Sequence, residues 1–369
     1  MTTPNESPAP EFSLTQARHI VRDLFTPKPW IYWLDASLCM FTGHALFPLP
    51  VFLPWLLPEP VWLRIVLQVI SFVVSGLCLY RAMMFIHEIA HQPEKEFRAF
   101  RLYWNYFCGV RVLVPAFLYY SHASHHRRKM YGTAYDGEYI PFEHRPRREL
   151  LLYFSQPFLA PIIGVLRFYI LTPLTWFSPT LRKLVHERAS SLVVNLAHLQ
   201  PPPTPQQFIS MRRQEVQCFN NCALATLLLV FVVPQHAWAF LLNGYLMGVF
   251  GMFLNHTRAL ASHRWTGDEH EMSFLSQLLD SANYPTGWIN ELWAPVGTRY
   301  HALHHLFPSL PYHNLPEAHR RLMAELPADS PYRRTVYPSM FGVLWSVLQR
   351  SGSKWESQRA VSSSAETAG

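Results

Sequence analysis

The chain has 369 residues, half of them hydrophobic, with 15% charged, 15% aromatic, a formal net charge of +7 and a mean hydropathy of +0.03. An ordinary soluble domain carries about a quarter charged residues, so this composition argues against one. The basic residues lie in loops beside apolar segments, without the basic-aromatic platform that binds single strands, which argues against nucleic acid as a partner.

A polar segment, residues 1–28, opens the chain. Its stretch through Thr26 has no short apolar core followed by a small-residue cleavage site, so the spans themselves are expected to direct insertion. Two apolar arms follow, residues 30–57 and 62–86, with a tight bend at Pro58, Glu59 and Pro60. Each is long enough to cross a bilayer, which takes about 20 residues, although Pro48, Pro50 and Pro54 make the end of the first arm irregular. Residues 100–120 are apolar but interrupted by Asn105, Arg111 and Pro115, which suits an interfacial or re-entrant segment. After a charged loop, residues 121–149, comes an apolar block, 150–177, broken by Pro157, Pro161 and Pro173, for which the sequence leaves the role open. A basic, proline-rich linker leads to a second hairpin, residues 219–233 and 238–255, turning at Pro234 and Gln235. Residues 258–350 read as mostly polar and helical, and the Ser- and Ala-rich tail 351–369 as disordered. No internal repeat is present. The expected fold is therefore all-α: an integral-membrane helical bundle over residues 29–350, with about four spanning helices, interfacial helices and a histidine-rich cap.

The turns at residues 58–62 and 234–237 carry no Lys or Arg, whereas Arg127, Arg128, Lys129, Arg145, Arg147, Arg148, Arg182, Lys183, Arg212 and Arg213 fall on the other side. Positive residues stay cytoplasmic, so both termini and the cap are expected there. Trp30, Trp62, Trp176 and Trp238 fall near span ends, where such rings favour the headgroup region, although a core role suits any one of them as well. Five cysteines without metal-like CxxC spacing read as reduced and structural.

Chemistry concentrates in three histidine clusters. His87-Glu88-Ile89-Ala90-His91 puts two imidazoles four residues apart on one helical face. His122-Ala-Ser-His125-His126 and His301-Ala-Leu-His304-His305 share one HxxHH spacing, and positions i, i+3 and i+4 of a helix form a single patch. Isolated histidines such as His19, His44, His144 and His236 read as interfacial or packed side chains. Three clusters on one membrane face instead offer nitrogen donors to a metal pair.

In order and spacing these boxes resemble those of the membrane fatty-acid desaturase and hydroxylase superfamily, over roughly residues 30–348. Further runs look familiar from it: Tyr131-Gly-Thr, Asp136-Gly-Glu-Tyr, and Leu292-Trp-Ala-Pro-Val-Gly-Thr-Arg-Tyr before the last box. The resemblance implies two non-haem irons, dioxygen as co-substrate and nine histidine ligands: His87, His91, His122, His125, His126, His301, His304, His305 and, in Ala261-Ser-His263, the one between the second and third boxes. Some acyl desaturases carry an asparagine four residues before that extra histidine, where this chain has Ala259. His256 lies seven residues before His263, about 10 Å along a helix axis, too far to share a metal with it. Candidates to support the ligands from behind are Glu88, Asp136, Glu138, His256, Asp268 and Glu269.

The resemblance further implies oxidation of a fatty acyl substrate, as free acid or thioester, with desaturation the commonest outcome and hydroxylation or oxidative decarboxylation to a terminal alkene as alternatives. No haem or flavin segment and no GxGxxG run is present, so electrons are expected from a separate donor such as ferredoxin and its reductase. A different reading takes His87, Glu88 and His91 as an intramembrane zinc protease. It leaves the two HxxHH boxes without a task. A metal transporter is a third reading, but transport sites lie near the bilayer midplane and these boxes lie at span ends.

Overall fold

The computed structural model describes residues 12–359. Among these it is helical throughout, with no strand and only isolated β-bridges. The expected all-α class is what is found.

Helix α1 (Leu14–Ile20) is capped by Ser13, whose hydroxyl accepts from Gln16 N at 3.2 Å, and Asp23 just after it pairs with Arg321 at 2.7 Å. The first apolar arm is two helices, α2 (Pro29–Leu46) and α3 (Leu49–Leu56), bent by 42°. Pro48 stands at the bend, as the prolines of that arm led one to expect. Helix α4 (Val61–His91) packs against both and runs further than the apolar pattern suggested. Its 31 residues reach about 46 Å at 1.5 Å each, against about 30 Å of hydrocarbon. The first histidine box therefore rides on the end of a rod longer than the apolar slab.

Residues 100–120 hold no candidate span: α5 (Glu94–Trp104) passes into a wide turn at Asn105–Gly109, Leu113 sits at φ 57°, and a short turn follows at Ala116–Tyr119. After α6 (His122–His125) and a loop, the block of open role becomes a long helix, α7 (Arg148–Leu174). Pro157 and Pro161 lie inside it, and a wide turn at Leu166–Leu171 precedes its end. Past α8 (Pro179–Ala189), the hairpin is formed by α9 (Pro205–Val232) and α10 (Pro234–Ser262). Helix α9 starts inside the expected linker because Thr204 and Gln207 form a capping box, with Thr204 N donating to Gln207 Oε1 at 2.9 Å, ahead of Pro205 in the first turn.

Four helices, α4, α7, α9 and α10, are long and apolar enough to cross a membrane, or five if α2 and α3 make one bent span. In each apolar window at most 22% of residues are buried inside the protein. Apolar side chains thus face outward, the reverse of a soluble bundle.

The segment expected to be polar and helical, 258–350, is helical in short pieces, α11 (Phe274–Asp280), α12 (Asn290–Trp293), α13 (His301–Leu306), α14 (Leu315–Glu325) and α15 (Met340–Arg350), joined by irregular chain. Between the helices its ligand-bearing stretches are pinned by bridges, His263 to Ser281 and Asn283 to Tyr300. Of the tail expected to be disordered, residues 353–359 are helical, anchored where Lys354 N and Trp355 N donate to Glu143 O at 3.0 and 3.2 Å. Residues 1–11 and 360–369 lie outside the described residues. All five cysteines are free.

Between α7 and α9 lies a buried ion group. Glu215 is 0% exposed and accepts from Arg167 at 2.5 Å and from Arg182 at 2.6 Å. Removing one member of such a group strands the others. Glu215→Ala is expected to destabilise the protein by about 3–5 kcal/mol, seen as a lower unfolding temperature in detergent, with Glu187→Ala, which loses only a loose pair with the exposed Lys183 at 3.8 Å, as a near-neutral control.

Candidate metal centre

Helix ends and the loops beyond them deliver the histidines. His87 and His91 occupy the last two turns of α4, and α6 carries His122 and His125 with His126 as its cap. Helix α10 stops at Ser262, so His263 is extended (φ −126°, ψ 156°) and leaves the helix axis. Its backbone is clamped against the end of α11, with Arg264 N donating to Asp280 O at 2.6 Å and Ala282 N to Ser262 O at 3.0 Å. The third box begins after a tight turn with Val296 at φ 54° and Gly297 at φ 72°. A Cβ on Gly297 would meet Leu315 at 2.6 Å, so glycine is required there for both conformation and space. Asn283, fully buried, holds α13 by accepting from Leu303 N at 3.1 Å and donating to Thr335 Oγ1 at 2.9 Å.

All nine expected ligands come together, in two groups: His87, His91, His122, His126 and His304 in one, and His125, His263, His301 and His305 in the other. Within each group the ligand atoms lie within 4.8 Å of one another. Nε2 of His126 is 3.0 Å from that of His122 and 3.2 Å from that of His304, and Nε2 of His301 is 2.9 Å from that of His263 and 3.0 Å from that of His305. With metal–nitrogen bonds of about 2.1 Å, ligands at right angles stand about 3.0 Å apart. Nε2 of His87 and of His91 are buried without a hydrogen-bond partner. These are the properties of donors built for a metal, and the residues fit a pair of ions.

Electrostatics points the same way. Burial, then the crowd of neighbouring imidazoles, holds His122, His126, His304 and His305 well below the ordinary histidine range, and His263 and His301 are pulled down by the same causes. They are neutral near pH 7, with lone pairs free for a metal. For His125 burial is outweighed by the Asp136 carboxylate, which raises it.

Carboxylates orient the imidazoles. His122 Nδ1 donates to both oxygens of Glu138 at 2.9 Å, and His125 Nδ1 to Asp136 Oδ2 at 2.8 Å. Asp136 is fixed in turn by Gly132 N and Glu138 N, each at 3.0 Å. His263 is reached through a phenol: its Nδ1 lies 2.8 Å from the Tyr131 oxygen, and Tyr131 donates to Asp280 Oδ2 at 2.7 Å. Asp280 also accepts from Tyr139 and Thr266. With Nδ1 engaged, Nε2 of His122, His125 and His263 is left for the centre.

Four sequence candidates do not support ligands in this way. Glu88 turns away from the imidazoles: its Oε1 accepts from Tyr32 at 2.5 Å, Gln92 at 3.0 Å and Tyr312 N at 3.0 Å, tying α2 and the chain after the third box to α4. That position also removes the base a zinc protease would need, and His87 and His91 join three further histidines. His256 lies outside both groups, held by Met252 O and Gln156, as its axial distance from His263 requires. Asp268 is exposed beside His270, and Glu269 pairs with Arg145. Asp280 was missed. Its signal is a lone acid ending the apolar run Phe274-Leu-Ser-Gln-Leu-Leu, and nothing local links it to His263 across 17 positions.

Residues 60–337 match the model of the family described as fatty acid desaturase. A ceramide hydroxylase of Caulobacter vibrioides (strain NA1000 / CB15N) is similar over 350 residues at 35% identity, covering 93% of this chain and 95% of that protein. No solved structure matches the chain.

Tyr131→Phe and Asp280→Asn are expected to lower metal affinity about 10- to 100-fold and His304→Ala to lower it further, whereas His256→Ala leaves metal content at the unaltered level. Elemental analysis after graded chelation measures all four, and a large loss in the His256 variant would contradict the grouping.

Proposed function

The chain belongs to the fatty acid desaturase family, and from that membership we propose that it uses two irons and dioxygen to hydroxylate the acyl chain of a lipid. The pair of imidazole groups carries the proposal: nine nitrogen donors without a bridging carboxylate among them suit non-haem iron. Iron bound there supplies the activation of dioxygen. The chain's own part is to hold and insulate. Glu138, Asp136 and the Tyr131–Asp280 pair fix three imidazoles, and burial of His87, His122, His125, His263, His301 and His304 keeps bulk water from the reacting carbon.

Inserting one oxygen atom into a C–H bond consumes dioxygen, two electrons and two protons and releases one water. The name of the Caulobacter relative favours this outcome for the 35% identical chain. Desaturation, which takes the same electrons and releases two waters, is the second reading and is favoured by the family's description. Electrons come from a separate donor such as ferredoxin with its reductase. Arg127, Arg128 and Lys129, exposed immediately after His126, suit an acidic donor surface. The setting is a bacterial inner membrane, with the cap in the cytoplasm.

Cells expressing the chain are expected to accumulate lipids heavier by one oxygen, read by mass spectrometry and lost in His304→Ala. Loss of two hydrogens instead would transfer the assignment to desaturation. Absence of both, and of an alkene one carbon shorter, from an iron-loaded, reduced enzyme would remove acyl chains from consideration.

Orientation is tested separately, in a chain with its own cysteines replaced. A cysteine at Glu59 is expected to react with an impermeant maleimide in intact cells and one at Lys129 to stay unlabelled; labelling at Lys129 overturns the orientation.

A further inference from the structure

Two arginines are buried on helices long enough to span, and they differ in one respect. Arg167, 3% exposed, has Glu215 at 2.5 Å. Arg258, 6% exposed and five residues before His263 on the last turns of α10, has no carboxylate partner among the described residues. Its Nη2 donates to Asn255 Oδ1 at 3.1 Å, and its Nε is buried with no partner. The neighbouring Tyr80 offers a hydroxyl and not a carboxylate, and it gives its own proton to Trp293 O at 2.8 Å. Glu138, an acid near enough to feel Arg258, already accepts His122 through both oxygens.

A buried cation without an ion-paired carboxylate is costly, and this one lies on the last turns of the helix that leads into His263. Metal ions would add more positive charge to the same space. The missing complement is an anion small enough to meet a planar guanidinium beside the centre.

We propose that Arg258 binds the carboxylate of a free fatty acid and so holds the methylenes nearest that carboxylate at the metal centre. The inference rests on the reading that the clustered histidines oxidise an acyl chain, and it adds the head group and the position of attack. Placement at the end of a span is consistent with an anionic head drawn to the cap and a tail in apolar surroundings. Fixing the head to a side chain of the same helix that leads into His263 sets the reacting carbon by distance from the carboxylate, so attack falls on the first methylenes whatever the tail length.

The test uses the full chain in detergent, with laurate, methyl laurate and dodecanol as probes. Equilibrium binding of labelled laurate is expected to weaken about 10- to 100-fold in Arg258→Gln, with metal content unchanged. Arg258→Lys should recover part of it, because charge returns without the planar fork. The unaltered protein should prefer laurate to both neutral probes by a similar factor. Products from laurate are expected to carry oxygen within three carbons of the carboxylate, or to be an alkene one carbon shorter, formed with carbon dioxide and two waters from the same dioxygen, two electrons and two protons, which also places attack beside the head. Equal binding of laurate and dodecanol by the unaltered protein, or a mid-chain product, overturns the proposal even if Arg258→Gln fails to fold. If laurate binding depends on Arg258 but the metal-loaded enzyme yields no product, the oxidase reading fails and the carboxylate site stands.

Discussion

One constraint aims three of the nine imidazoles: a fixed partner on one ring nitrogen leaves the other turned toward the centre. At His122 and His125 that role falls to Glu138 and Asp136, two residues apart on one loop, and the loop is stiffened because Asp136 also takes the backbone N–H groups of Gly132 and Glu138. At His263 the same service comes from Tyr131 on that loop and Asp280 on α11. Three ligands from two parts of the chain thus hang on one short stretch, residues 131–138. A shift of that loop would misdirect three donors at once.

Much of this was legible beforehand because it is local. The HxxxH and HxxHH spacings need only helical geometry to put their nitrogens on one face, and α4, α6 and α13 supply it. Asp136 and Glu138 stood close to their box in sequence, and the two apolar hairpins announced themselves by length. What could not be read was set by contacts far apart in the chain. Glu88 looked well placed beside His87, yet successive helical residues point in different directions, and its carboxylate is claimed by Tyr32 and Tyr312. Asp280 acquires its role only when the chain after α11 returns to lie against Ser262. The polar segment 258–350 is helical in pieces, as its composition suggested, but the bridges between those pieces, which aim His263 and His301, pair residues far apart in the chain.

The outward-facing apolar residues and the inward-facing cap divide the labour of stability. In lipid, side-chain burial between spans is slight, so buried polar anchors such as Glu215 with Arg167 and Arg182 fix helix registry. Glu88 does the equivalent at the boundary, where it joins α2 and α4 to the segment following α13.

The length of α4 has a mechanical consequence. It is one unbroken rod of 31 residues from the turn at Pro60 to His91, whereas α7 and α9 each contain a wide turn, at Leu166–Leu171 and Leu228–Val232. When a bilayer thickens or thins, a rod can only tilt, while helices with loosened turns can also flex. Hydrophobic mismatch is therefore converted into rotation of the element that carries the first two ligands. The height of the centre above the hydrocarbon then follows the membrane's own thickness.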